Sequence, residues 1–239
     1  MKDHVITIDR KNTDGIASTY FSSICGFSRD EEKHREMFNE ALRIRDKIAD
    51  KIHIRAIVSS FGIEAINNKE IILNEMKFQF NFLEHIKIES IHKIYAYILT
   101  IGNTVIKDAS VLEKFYEDTW GIAYVDAGRD ILREELRADF IVNNCDETKI
   151  NEKEIFISES FGPGFYGMDV TKVRTFFELF QGEKIGVSLL ESGLIYPLKS
   201  CTGFYMVVDD VSQLPNDECK SCFSNKQGCK FCRATIKDL

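Results

Sequence analysis

Hydrophobic and polar residues recur along this chain with two different periods, and the change from one to the other divides it in two. Over residues 28 to 52, Met37, Ala41, Ile44, Ile48 and Ile52 return every three or four positions, with charged residues between them. That spacing predicts an amphipathic helix with one face on a core. Ser28 and Glu31 have capping-box spacing and place its start at 28. "KIYAYILTIG", residues 93 to 102, is a short apolar run rich in β-branched and aromatic residues, ended by Gly102. It predicts a buried strand. Residues 78 to 88 fit helix and strand equally. Two more helices are predicted, one over 108 to 117 and one from Gly121 to Phe140. The second turns Ala123, Ala127, Ile131, Leu132, Leu136 and Phe140 inward.

From residue 154 the period shortens. "EIFISES" alternates as a strand, "FGPGFYG" reads as a turn and "TKVRTFFELF" as a short amphipathic helix. "KIGVSLLES", "GLIYPLKS" and "TGFYMVVDD" are three further strand-like segments. Long helices followed by clustered strands predict an α+β fold, mainly antiparallel sheet with flanking helices, rather than alternating βαβ units. The expected organisation is one domain over 1–210, a linker at 211–218 around Pro215, and a cysteine-rich tail at 219–239. Residues 1–25 show no clear pattern, so their place in the core is open.

Composition removes some functions. A chain of 239 residues can bury a substantial core, and a net charge of −7 argues against nucleic acid or an anionic membrane as the main partner. No apolar run reaches signal-peptide or membrane-span length, so the expected compartment is the cytoplasm, where thiols stay reduced. Four of the seven cysteines fall in "CKSCFSNKQGCKFC", residues 219 to 232. Cys219, Cys222, Cys229 and Cys232 make two C-x-x-C chelates, and Asn225 and Gly228 allow the connection to turn. The spacing predicts one four-thiolate metal site, with Lys220, Lys226, Lys230 and Arg233 offsetting its negative charge; a redox dithiol pair and a tail of free thiols are the alternatives. Zinc and a [4Fe–4S] cluster both accept four thiolates, and the spacing does not separate them. Cys25, Cys145 and Cys201 read as small buried apolar residues.

Three other features are candidates for chemistry. In "FGPGFYG", Gly162 and Gly164 permit close backbone approach or positive φ, Pro163 stiffens the turn, and Phe165 and Tyr166 offer flat faces. A bare tight turn and a ligand loop both fit, and no phosphate-loop pattern is present. "ESGLIYPLKSCTGFY", from Glu191 to Tyr205, is polar among apolar neighbours and marks a cleft rim or a protected edge strand. Asp126 and Asp130 lie one turn apart on the helix from Gly121 and are expected to be solvated. No nucleophile, general base or catalytic triad is visible.

"SESFGPGFYGMD" followed by "IGVSLLESGLIYPLKSCTGFY" resembles the reductive-activation domain of cobalamin-dependent methionine synthase, and more closely the free-standing proteins related to it. The matching residues are Gly162, Pro163, Gly164 and Phe165, then Glu191, Ser192, Pro197, Ser200 and Gly203. The likeness spans residues 90 to 210. It implies that S-adenosylmethionine lies along the glycine turn, against Gly162, Pro163, Gly164, Phe165 and Tyr166. Asp130 would be the helix carboxylate facing its positive charge, and Glu191 and Tyr205 the binding residues of the second segment.

The resemblance also implies a partner: a corrinoid protein or a cobalamin-dependent methyltransferase. The partner's cobalamin, once oxidised to cob(II)alamin, is remethylated with one electron from a donor such as flavodoxin or ferredoxin. An iron–sulfur tail would then be an electron relay, and a zinc tail a clasp. One departure stands out. Ser160 occupies the position of the family's arginine, which contacts the ligand carboxylate, and serine offers one neutral hydrogen bond instead of a bidentate charged pair. Either Arg174 or another base substitutes, or affinity is lost. The competing expectation is a docking module that no longer binds S-adenosylmethionine.

Overall fold

The computed structural model describes residues 3–28, 30–67, 70–80, 83, 86–148 and 155–213. In chain order its elements are strand β1 (His4–Ile8), helices α1 (Arg10–Cys25) and α2 (Glu32–Ile48), and strands β2 (Ile54–Phe61), β3 (Ile66–Asn67), β4 (Glu70–Leu73), β5 (Met76–Gln79) and β6 (Ile91–Thr100). Helix α3 (Val111–Thr148), strand β7 (Phe156–Ile157), helix α4 (Val173–Leu179) and strands β8 (Ser188–Leu189), β9 (Ile195–Tyr196) and β10 (Ser200–Val208) follow.

The main sheet runs β1-β2-β6-β10-β7 with every pair antiparallel. Its middle strand β6 is apolar on both faces, and both faces are covered. Tyr95, Tyr97 and Leu99 point to a core shared with α1, α2 and α3. Ile94, Ala96 and Ile98 point to a second core under β4, β5 and α4. Covering on both sides is why this strand reads as a continuous apolar run instead of alternating. Strands β3, β4 and β5 form a small separate sheet, and β8 with β9 a short hairpin.

Residues 3 to 25 belong to the core. β1 pairs along β2 from His4↔Val58 to Ile8↔Ile54. Asp9 caps α1 by accepting from the Lys11 N–H, and Gly26 closes it at φ +66. Phe21 on α1 stacks on Trp120 of α3 at 4.1 Å between ring centres, and Trp120 Nε1 donates to the Ala41 carbonyl of α2 at 2.8 Å. The apolar stripe of α1 is interrupted by serines and threonines that bond back to their own helix, which hides its period.

Two helix boundaries differ from expectation. α2 starts at Glu32, not Ser28: Glu31 is its N-cap and makes no side-chain capping bond, while Ser28 accepts from the Asp30 N–H in a local turn. The predicted helices at 108–117 and 121–140 are one helix of 38 residues. Gly121 does not break it. A Cβ there would sit 2.8 Å from Lys199 Cε, so the glycine makes room for the Lys199 side chain, which reaches Asp118. Among its described residues "EIFISES" has ladder pairs at Phe156 and Ile157, the Ser158 N–H donates to the Met206 carbonyl, and a lone bridge follows at Phe161↔Phe204. Among the described residues no helix is long and apolar enough to cross a membrane.

Candidate functional site

Helix α3 carries Asp126, Arg129, Asp130 and Arg133 at spacings of three and four, so they form one stripe along its flank. That stripe faces the segment leading into the glycine turn. Arg129 Nη2 pairs with Asp126 Oδ1 at 2.8 Å, and Arg133 Nη1 pairs with Glu159, the residue before Ser160. Asp130 accepts a 2.7 Å hydrogen bond from the Tyr20 hydroxyl of α1. The two aspartates are therefore not a solvated pair, as expected from the sequence, but mostly buried. Burial raises both carboxyls above the ordinary range, and Arg129 for Asp126 and the Tyr20 hydroxyl for Asp130 oppose that rise.

Beneath the stripe lie two tyrosines. The Tyr97 and Tyr205 rings stack with centres 4.9 Å apart. The Tyr205 hydroxyl donates to the Arg129 carbonyl at 2.9 Å, and the Tyr97 hydroxyl shares a 2.6 Å hydrogen bond with Ser160 Oγ. Burial pushes both phenols up, and it pushes the neighbouring Cys201 thiol up to about 11. Tyr205, expected at the ligand, is 1% exposed and its hydroxyl is committed to the Arg129 carbonyl.

The glycine turn is assembled by contact with β10. Phe161 and Phe204 exchange backbone hydrogen bonds at 3.1 and 2.7 Å. Gly162 then lies back to back with Gly203: a Cβ on Gly162 would sit 2.9 Å from the Gly203 Cα. The close approach expected of Gly162 is thus to another strand and not to open space. Gly164, at φ +89, has nothing within 4 Å of where a Cβ would be. Its N–H donates to the Met168 carbonyl and the Phe165 N–H to the Gly162 carbonyl, so the turn is closed by its own backbone. Pro163 is half-buried, Phe165 is exposed and Tyr166, at φ +50, packs against the second core.

The remaining sequence-predicted residues lie elsewhere. Glu191 is at the exposed tip of the β8–β9 hairpin, where its carbonyl accepts from Arg174 of α4. Arg174 is therefore tied to that hairpin. Cys25 and Cys201 are half-buried against the helical core, and the side chain of Cys145 lies outside the described residues. Cys219, Cys222, Cys229 and Cys232 also lie outside them, as does the linker from 214. Sequence reasoning missed Tyr20, Tyr97, Arg129, Arg133 and Glu159. The α3 arginines had a readable signal, their spacing from Asp126 and Asp130; the tyrosines reach the site from distant strands and helices and had none.

No family model and no curated protein matches the sequence. A solved structure does match: the crystal structure of the MetH reactivation domain bound to AdoHcy, at 15% identity and a TM-score of 0.60, over 100% of this chain and 89% of that one. The chain has the reactivation-domain fold. The match includes the N-terminal third, which lies outside the sequence likeness of residues 90 to 210, and it agrees with the antiparallel sheet and flanking helices expected from the pattern.

Proposed function

We propose that this chain binds S-adenosylmethionine against the α3 carboxylates and the glycine turn, and supports reductive remethylation of a corrinoid carried by a partner protein. The observation that carries this is the fold, matched along the whole chain to a domain crystallised with AdoHcy. The local charge supports it. Asp126, Asp130 and Glu159 oppose Arg129 and Arg133, three carboxylates against two guanidiniums, and Asp130 is held by a neutral hydroxyl. Arg133 and Arg129 offset part of the Asp130 charge, and a sulfonium or ammonium beside it would meet the surplus carboxylate in a poorly hydrated setting. The exposed Phe165 ring and the open side of Gly164 offer surface for the rest of the ligand. Arg133, held next to Ser160 by Glu159, is the base we assign in place of the absent arginine. Methyl and electron transfer would be the chemistry of the bound cofactors; the chain's own part is to hold and orient.

We extend the proposal to the tail. Two C-x-x-C chelates in a donor set of four thiolates suit one zinc ion or one [4Fe–4S] cluster.

Calorimetric titration of the anaerobically purified chain with S-adenosylmethionine, together with its absorption spectrum and metal content, tests both parts. Asp130→Asn keeps an oxygen for Tyr20 and removes the charge, so affinity should fall about tenfold, or ~1.4 kcal/mol. A protein that gives no heat with S-adenosylmethionine overturns the reading. One observation favours a docking module instead: Ser160 already spends its hydroxyl on Tyr97.

A further inference from the structure

On the opposite flank of α3, toward the β1 end of the main sheet, lies a cavity of about 350 Å³. Glu135 is about 200° around the helix from Arg133, so the stripe described above takes no part in it. The cavity is in the lower part of the size range of small-molecule sites. Ile6, Val58 and Leu136 give it an apolar lining, and Glu135 and Asp139, one turn apart, line its helix side. Tyr95 is 4% exposed, and among the described residues its hydroxyl has no hydrogen-bond partner. That phenol is held high by burial first and by the Asp139 carboxylate second, which places it within the field of the acidic wall. A buried hydroxyl without a partner is costly, and native structures seldom keep one without a ligand or water to satisfy it. Basic groups also line the cavity, His4 on β1 and Lys93 on β6. Lys93 Nζ lies over the Phe140 ring, 5.7 Å from its centre, a cation–π contact that draws its charge toward that ring.

We propose that this cavity binds a small organic ammonium ion. Its apolar body packs on Ile6, Val58 and Leu136, its charge sits between Glu135 and Asp139, and the Tyr95 hydroxyl accepts from an ammonium N–H. The inference does not rest on the S-adenosylmethionine reading, because it uses none of the same residues.

The test is titration of the full chain with phenethylamine, followed by ligand-observed NMR, with hydrocinnamate as an anion of the same shape. Phenethylamine should bind saturably and hydrocinnamate should not. Asp139→Asn and Tyr95→Phe should each raise the Kd about fivefold or more, and Lys93→Ala, which removes the opposing charge, should lower it. Asp130→Asn should leave it unchanged, so this proposal and the S-adenosylmethionine reading fail separately. Lys93→Ala guards against misfolding as the cause of lost binding, because it predicts a gain. Failure of phenethylamine to saturate, equal binding of the two probes, or a Kd indifferent to Asp139 and Lys93 overturns the proposal and leaves a resident water on Tyr95 as the explanation.

Discussion

Replacing Gly203 with alanine would put a methyl group 2.8 Å from the Phe161 carbonyl oxygen and 2.9 Å from Ser160 Oγ. The first neighbour is backbone and cannot swing aside, and the same oxygen accepts the 2.7 Å hydrogen bond from the Phe204 N–H. Relief requires the turn to lift from β10 and that bond to lengthen. Overpacking of this kind costs about 1–3 kcal/mol, and a weakened hydrogen bond adds about 1 kcal/mol. For a domain of this size each kcal/mol lowers Tm by about 2–4 °C, so calorimetry should show a fall of roughly 4–16 °C. Gly162→Ala meets the same obstacle from the other side, with the Gly203 Cα at 2.9 Å and the Thr202 carbonyl oxygen at 3.0 Å. The double variant should cost less than the sum, since the turn displaced by one methyl has room for the other. Gly164→Ala is the control: its φ of +89 strains an alanine, by about 1–2 kcal/mol, but nothing obstructs the methyl. A Gly203→Ala protein melting within about 2 °C of the parent, or a Gly164→Ala costing more, would refute the back-to-back packing.

Two further predictions concern the α3 stripe. Arg129→Met leaves the Asp126 carboxylate in its buried site without the guanidinium and should lose about 3–5 kcal/mol in urea unfolding, while adding Asp126→Leu should recover much of it. Burial raises the folded-state pKa of Asp130, so the folded chain holds that proton more tightly than the unfolded chain. The stabilisation is complete below the unfolded carboxylate value near pH 4 and is lost as pH rises through the raised folded value. Asp130→Asn lacks that loss, so its stability relative to the parent should improve as pH rises above about 4 in paired urea melts; a constant difference would mean that Asp130 titrates normally.

Much of the frame was legible. The 3.6-residue stripe of α2, the uninterrupted apolar run of β6 and the glycine-rich turn were each readable, because each depends on which faces of a local element meet water. The α+β class followed from the order of those patterns. The ends of elements were less legible. Ser28 had a partner for a capping box, but its hydroxyl bonded to the Asp30 N–H instead, and Gly121 looked like a break until Lys199 lay across it.

What the chain determined locally was the kind of each element and the apolar face it would bury. What only tertiary structure decided was who meets whom. Tyr20 reaches Asp130 across 110 residues, and Tyr97 reaches Ser160 across 63. The first of those bonds, with the Arg129–Asp126 pair, accompanies the burial of two aspartates that looked solvated in the sequence. Likewise Tyr205, at the end of the motif, faces inward because β10 is a covered inner strand of the sheet, and Gly162 serves the packing against Gly203. A local period records only the contrast between apolar and polar sides. The partner of a polar side chain is chosen by how whole elements dock, and the burial that shifts its chemistry exists only after they have done so.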